Sequence, residues 1–221
     1  MKSLHYNSLG QMVPLGNIVR TKTADFDDGT LNWLTAVTGT SSVATGATGK
    51  GVVTMTTAAT ASSTAMLQSN WQVLIGQAQG IMWEINGFSH NASGAAVTIN
   101  IGMREGTTSP TGAGVYAMQT GTDAFFSLYK AGESAGSGVA TVQNSRTGTG
   151  ATVGHNLALL YTPPTGELTL FKDGTIMGTR AMGKYDPNNS VKPYLQLITP
   201  DATARSWYLM QAKQTVWINN N

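Results

Sequence analysis

Two acidic features of the chain have residue types and spacing that could bind a cation. Glu84 and Asn86 lie two apart in an alternating stretch, which puts both side chains on one face of a strand. Asp25, Asp27 and Asp28 form a cluster beside Gly29. Hard cations need several oxygen ligands, and Glu84 is the one charge of its pair. We therefore expect a polar pair on a half-buried strand, a turn at residues 25–29, and no metal or other cofactor.

The residues that could support nucleophilic catalysis are scattered through the chain. His5, His90 and His155 have no Gly-x-Ser-x-Gly elbow to act with. The glycine-rich stretch 148–154 lacks the Gly-Lys-Ser/Thr ending of a phosphate loop. We predict no catalytic residues, and we predict that the protein is not an enzyme.

The aromatic side chains give the one indication of carbohydrate binding, because aromatic faces stack on sugar rings. Most aromatics of a β-sandwich belong to its core or to an interface. Three tyrosines near predicted loops are the candidate glycan contacts: Tyr116, Tyr129 and Tyr185.

Charge and composition exclude several partners. Charged residues make up 11% of the 221 residues, and the net charge is +2. The thirteen basic residues are never adjacent, which argues against nucleic acid and against a membrane surface as partners. The chain has no cysteine, and its first residues lack the apolar core of a signal peptide. We expect synthesis in a cytoplasm without export.

Hydrophobic alternation recurs along the chain and indicates strands almost throughout. The stretch 81–88 alternates apolar and polar residues, as does 95–104, and turn-forming residues separate such runs every 8–15 residues. The segment 207–218 is compatible with a helix up to Lys213, but its β-rich end favours a strand. We predict an all-β protein, an antiparallel β-sandwich of the jelly-roll, lectin-like type, formed by residues 25–221 as a single domain.

The strongest local signal is the hairpin around Asp173-Gly174. A type I′ turn needs positive φ at both central residues, which Asp-Gly provides. A two-residue loop fixes the pairs that face each other. These are Lys172 with Thr175, Phe171 with Ile176, Leu170 with Met177, and Leu168 with Thr179. Because the turn accounts for Asp173, we assign it no ligand role.

Residues 1–24 precede the first clear strand and are predicted to be an N-terminal arm. Its apolar residues keep neither helical nor strand period, and Gly10, Pro14 and Gly16 interrupt them. One interpretation is a frayed terminus. The other is an assembly arm that docks on a neighbouring subunit, which so many apolar residues favour. The proposed arm contacts are Leu4, Tyr6, Leu9, Met12, Val13, Leu15, Ile18 and Val19.

Two pieces of the chain resemble the concanavalin A-like (laminin G-like) lectin-type fold. One is residues 156–161 followed by the hairpin 167–178, and the other is strand 81–88 followed by strand 95–104. Hydrolases of that fold carry Glu-x-Asp-x-Glu on one strand, whereas Glu84 is followed here by Asn86 and Phe88. The resemblance therefore does not extend to the hydrolase pair. The chain is also similar to bacteriophage capsid-decorating and tail-associated proteins in lacking cysteine and a signal peptide, in its weakly charged strands rich in Gly, Thr and Ala, and in its N-terminal arm.

Three hypotheses follow for function. The preferred one is a non-enzymatic virion structural protein, capsid-decorating or tail-associated, whose partners are other copies of itself and other virion proteins. It would be located in the virion after synthesis in a host cytoplasm. The alternative is a carbohydrate-binding, lectin-like module that recognises a host surface glycan. The third is an enzyme of the same fold.

Overall fold

The structure is a computed structural model. It describes residues 5–6, 12–13, 17–38, 41–45, 51–90, 98–105, 114–119, 125–130, 141–143, 155–199 and 201–219. The stretches in between lie outside the described residues.

Alternating sequence produces strands in nearly every described stretch, and a single 3₁₀ turn spans Ile75–Gln77. The strands are β1 (His5–Tyr6), β2 (Met12–Val13), β3 (Asn17–Ala24), β4 (Leu34–Thr38), β5 (Ser42–Thr45), β6 (Val53–Thr56), β7 (Thr64–Ser69), β8 (Val73–Leu74), β9 (Ala78–His90), β10 (Thr98–Arg104), β11 (Gly114–Gln119), β12 (Phe125–Lys130), β13 (Thr141–Gln143), β14 (His155–Thr162), β15 (Glu167–Lys172), β16 (Thr175–Ala181), β17 (Ser190–Ile198), β18 (Ser206–Leu209) and β19 (Gln211–Asn219). The segment 207–218 is thus extended, as predicted.

β1 and β2 pair with each other, and the other described strands form two large antiparallel sheets, which confirms the predicted all-β sandwich. The smaller sheet has the order β13-β12-β11-β10-β17-β7-β4, with β8 also paired to β17. The larger sheet has the order β16-β15-β14-β9-β18-β6-β5. In it, β19 also pairs with β9, and β3 pairs with β19. The long strand β9 therefore has β14 on one side and both β18 and β19 on the other.

One apolar core lies between the sheets. On β9 the side chains of Ile81, Trp83 and Ile85 are completely buried in it. Trp83 meets Trp33 edge to face, with ring centroids 6.0 Å apart. Because successive strand residues point to opposite faces, Met82, Glu84 and Asn86 must lie on the outer face of the larger sheet.

A buried polar bridge joins the two sheets and fixes the orientation of β19. Ser69 Oγ on β7 donates to Gln214 Oε1 at 2.5 Å, and Gln214 Nε2 donates to the Trp71 carbonyl at 3.2 Å. Gln214 is fully buried. Since Gln214 points inward, its neighbour Lys213 faces outward, beside β9.

The Asp173-Gly174 hairpin is confirmed at its turn, and its predicted register is wrong further along. The φ angles are +49° and +79°, as a type I′ turn requires. Lys172 faces Thr175 and Phe171 faces Ile176, as predicted. A β-bulge then places one extra residue on β16, so that Leu170 lies opposite Gly178 and Leu168 opposite Arg180.

Residues 17–24, which the sequence assigns to the arm, form β3. This strand pairs with β19 along its whole length, from Asn17 opposite Asn219 to Ala24 opposite Ala212. Ile18 and Val19 lie on it and are 42% and 49% exposed. Of the other proposed arm contacts, Tyr6 lies on β1 and Met12 and Val13 on β2, whereas Leu4, Leu9 and Leu15 lie outside the described residues.

Candidate functional site

A cavity of about 280 Å³ opens on the outer face of the larger sheet, where the Asp173-Gly174 turn approaches β9. Three neighbouring strands, β9, β14 and β15, supply most of its wall. It is lined by Glu84, Asn86, Asn156, Leu157, Ala158, Phe171, Asp173 and Gly174. The fold thus brings the predicted polar pair of β9 and the turn residue Asp173 to one place.

Glu84 lines this cavity and forms an ion pair with Lys213. Lys213 Nζ is 2.9 Å from Glu84 Oε2, and the two side chains are 22% and 8% exposed. The pair forms because Lys213 on β19 lies directly opposite Glu84 on β9. Lys213 compensates the buried carboxylate, which would otherwise carry a large desolvation cost.

Asn156 connects the hairpin to β9. Its backbone N–H donates to Asp173 Oδ1 at 2.9 Å, and its carbonyl accepts from the Asp173 N–H at 2.8 Å. Its side-chain Oδ1 accepts from the Gly87 N–H at 3.0 Å. Since a backbone N–H can only donate, the amide oxygen of Asn156 must face Gly87. The Nδ2 group of Asn156 makes no hydrogen bond to any residue that the structure describes, so it can donate to a ligand.

Asn86 completes the polar part of the cavity. Its Nδ2 donates to Gln211 Oε1 at 2.7 Å, across the β9–β19 pairing. Its Oδ1 accepts no hydrogen bond within the described part of the chain. The cavity therefore presents a free amide donor on Asn156, a free amide acceptor on Asn86, and two carboxylates.

The remaining wall of the cavity is apolar. Phe171 and Ala158 lie opposite each other on β15 and β14. They belong to a small apolar cluster on the outer face of the sheet, together with Met82, Trp217 and the partly buried Leu160. A cavity with an apolar wall and a few fixed polar groups can orient a small, neutral, hydroxylated ligand.

The other predicted sites lie elsewhere. Residues 25–29 form a turn, as expected, and Asp28 accepts hydrogen bonds from the Thr30 N–H (2.9 Å) and the Thr30 hydroxyl (2.8 Å). These bonds hold the pKa of Asp28 below its usual value. Among the described residues, no group of three or more His, Asp or Glu could hold a metal ion.

The three candidate glycan tyrosines are not brought together. Tyr116 and Tyr129 stack on the outer face of the smaller sheet, with centroids 5.3 Å apart and ring planes 16° apart. Tyr185 follows β16, meets Tyr161 edge to face and donates its hydroxyl hydrogen to the Gly114 carbonyl. The role of these tyrosines in glycan binding stays a prediction.

Beside this tyrosine stack, Arg104 lies over the ring of Tyr194, with 4.7 Å between the guanidinium carbon and the ring centroid. Burial raises the pKa of the Tyr194 phenol, and the nearby Arg104 charge opposes this only in part. Tyr194 therefore stays protonated at physiological pH, and the contact is between a cation and a neutral ring.

Sequence reasoning missed three residues of the cavity region: Asn156, Asp173 and Lys213. The sequence assigns Asp173 to its turn alone, although that turn lies beside Glu84 and Asn86 of β9. Asn156 and Lys213 are placed by the pairing of β14 and β19 with β9, which joins strands about 70 and 130 residues apart in the chain. The one local signal was the outward-facing Glu84 and Asn86.

The fold matches solved concanavalin A-like β-sandwiches. The potassium-bound carbohydrate recognition domain of Emp46p is 13% identical, with a TM-score of 0.64 over 86% of this chain and 94% of that one. Crh5 transglycosylase in complex with NAG is 15% identical, with a TM-score of 0.62 over 98% and 92%. Bacillus licheniformis beta-glucanase is 14% identical, with a TM-score of 0.59 over 88% and 97%.

At such identities these neighbours show the fold alone, which is a β-sandwich of the concanavalin A-like lectin and glucanase type. No protein-family model and no curated protein sequence matches the chain. Within the described residues, no helix is long and apolar enough to span a membrane.

Proposed function

We propose that the protein is a carbohydrate-binding module whose cavity beside Asp173 takes a small neutral saccharide. The observation that carries the proposal is the set of groups in one cavity: the Asn156 donor, the Asn86 acceptor, two carboxylates and the Phe171 wall. Sugar hydroxyls both donate and accept, so they need both kinds of partner. The C–H face of a sugar ring packs on an apolar wall such as Phe171.

The charges of the cavity favour a neutral ligand over an acidic one. The charged residues among its lining are Glu84 and Asp173, both acidic. None of the lining residues is a cation, and Lys213 reaches Glu84 from the adjacent strand β19. The acidic side chains of the cavity would therefore repel a carboxylate or sulfate on the ligand, and partial shielding from water would strengthen this repulsion. The cavity volume of about 280 Å³ lies just below the usual range for ligand pockets, about 300–1,000 Å³, which suits a single terminal sugar.

The solved neighbours include enzymes as well as a carbohydrate recognition domain, so the choice between binding and hydrolysis depends on the site. Two observations favour binding. Glu84 is engaged by Lys213, and the outward-facing residue two positions along is the amide Asn86, which cannot serve as a nucleophile or as an acid. Glycoside hydrolysis by the usual route needs two carboxyl groups flanking the scissile bond. The second carboxylate of this cavity, Asp173, is held in its turn by the Asn156 N–H, which donates to its Oδ1 at 2.9 Å.

The virion structural role remains a prediction. Of its proposed arm contacts, Ile18 and Val19 are on β3, where their exposure leaves them available to a neighbouring subunit. A carbohydrate-binding sandwich is also compatible with a virion surface, where it would recognise a host glycan. Location in a virion and pairing with other virion proteins stay part of the proposal.

The proposal predicts a clear pattern on a glycan array that carries neutral and acidic glycans, probed once with calcium and once with a chelator. We expect binding to a subset of neutral glycans, and weaker binding to the same glycans capped with sialic acid or sulfate. Because the cavity relies on protein groups, the chelator should not abolish binding. An array with no bound glycan, or with acidic glycans alone, would overturn the proposal.

A further inference from the structure

Two apolar side chains stand out at the surface of the described residues. Ile176 is 60% exposed and Met210 is 59% exposed, more than any other large apolar residue there. Single exposed apolar residues are common and need no explanation. These two are of interest because both flank the cavity described above.

Ile176 flanks the cavity on the hairpin side. It lies on β16 directly opposite Phe171, which forms the apolar wall. It is also the second residue after Gly174, which lines the cavity at the turn. The wall formed by Phe171 therefore continues outward to an exposed aliphatic side chain at the edge of the sheet.

Met210 flanks the cavity on the opposite side. It lies between β18 and β19, and its N–H donates to the Asn86 carbonyl at 3.0 Å. Its side chain packs against Gly87 so closely that a Cβ built there would be 2.7 Å from Met210 Cγ. Gly87 in turn donates to Asn156. Met210 thus lies next to the polar groups that would hold the sugar.

The cavity lining therefore lies between two exposed apolar side chains, Ile176 and Met210, each next to a residue that lines the cavity. We propose that the ligand is an amphiphile, a neutral sugar linked to an alkyl or acyl chain, as in a glycolipid head group. The sugar occupies the cavity, and the chain leaves it along Met210 or Ile176, where its burial adds affinity. This inference rests on the proposed function and narrows its ligand class.

The test compares methyl and n-octyl β-D-glycosides of glucose, galactose and mannose by titration calorimetry, with octyl probes kept below their micelle concentration. We expect the octyl form of the bound sugar to bind about tenfold more tightly than the methyl form. The double variant Met210→Gln/Ile176→Gln should lose this preference and keep its methyl glycoside affinity. Leu74→Gln, at an exposed apolar residue on β8 of the other sheet, is the matched control and should change neither.

The outcomes separate the two proposals. Methyl glycoside binding with no octyl preference in the unmodified protein would overturn the amphiphile inference and leave the saccharide site standing. An octyl preference that persists in the double variant would also overturn the inference. If no methyl glycoside binds, the proposed function fails, and the inference that rests on it fails too.

Discussion

Replacing Glu84 by Gln should weaken binding of the neutral saccharide by about 10- to 100-fold. The substitution keeps the shape of the side chain and removes a charged acceptor. Hydrogen bonds to charged groups contribute about 1.5–3 kcal/mol, and each 1.4 kcal/mol corresponds to about a factor of ten in affinity. Titration calorimetry of the variant and of the unmodified protein measures the change. The ion pair with Lys213 is lost, but at 22% exposure the Lys213 ammonium group can reach solvent, so the fold should persist.

The matched control is Glu167→Gln. Glu167 lies on β15, on the same outer face of the larger sheet, and it is exposed and outside the cavity. The same chemical change there should leave affinity unchanged, which separates a local contact from a general change in the charge of the face. Equal affinities for Glu84→Gln and the unmodified protein would contradict the assignment of Glu84 to the site.

Replacing Gly166 by Ala should destabilise the protein by about 2–5 kcal/mol, the sum of a left-handed backbone penalty and an overpacking cost. Gly166 has φ +70° in the turn between β14 and β15. A Cβ there would lie 2.4 Å from the Gly183 carbonyl carbon and 2.5 Å from its oxygen. Backbone atoms cannot rotate away as a side chain can. Chemical denaturation with urea measures the loss of unfolding free energy.

Gly174→Ala is the control for the backbone penalty alone. Gly174 has φ +79°, but a Cβ there would meet no atom within 4 Å. Its substitution should cost about 1–2 kcal/mol, because an L-residue is strained in the left-handed region whatever the space around it. Similar losses for both variants would show that the close approach of residues 166 and 183 does not constrain the native state.

The hairpin shows which structural features the local sequence determines and which depend on distant parts of the chain. Asp173-Gly174 predicts the turn type and the first two cross-strand pairs, because both follow from backbone geometry within a few residues. The bulge beyond Phe171 is not encoded locally. It places one extra residue, Met177, on β16 between the partners of Phe171 and Leu170.

Strands β9 and β3 also show which features the local sequence determines and which it does not. Alternation in β9 correctly predicts that Ile81, Trp83 and Ile85 are buried and that Glu84 and Asn86 share the other face. The cavity itself arises where β14, β15 and β19 come to lie beside β9. Pairings between segments so far apart in sequence leave no pattern in any one of them. The sequence does not predict the edge strand β3, because the side chains of residues 18–24 are exposed on both faces except at Ala24, so no alternation marks the strand.

The most direct test of the central claim is an amide ¹⁵N–¹H NMR titration with the neutral saccharide that binds best on the array. If the cavity is the binding site, the largest shift changes fall on the amides of Asn86, Gly87 and Gly174, and Glu84→Gln moves the titration midpoint to higher saccharide concentration. Changes confined to the stacked Tyr116 and Tyr129 on the other sheet, or no changes at saturating saccharide, would contradict it.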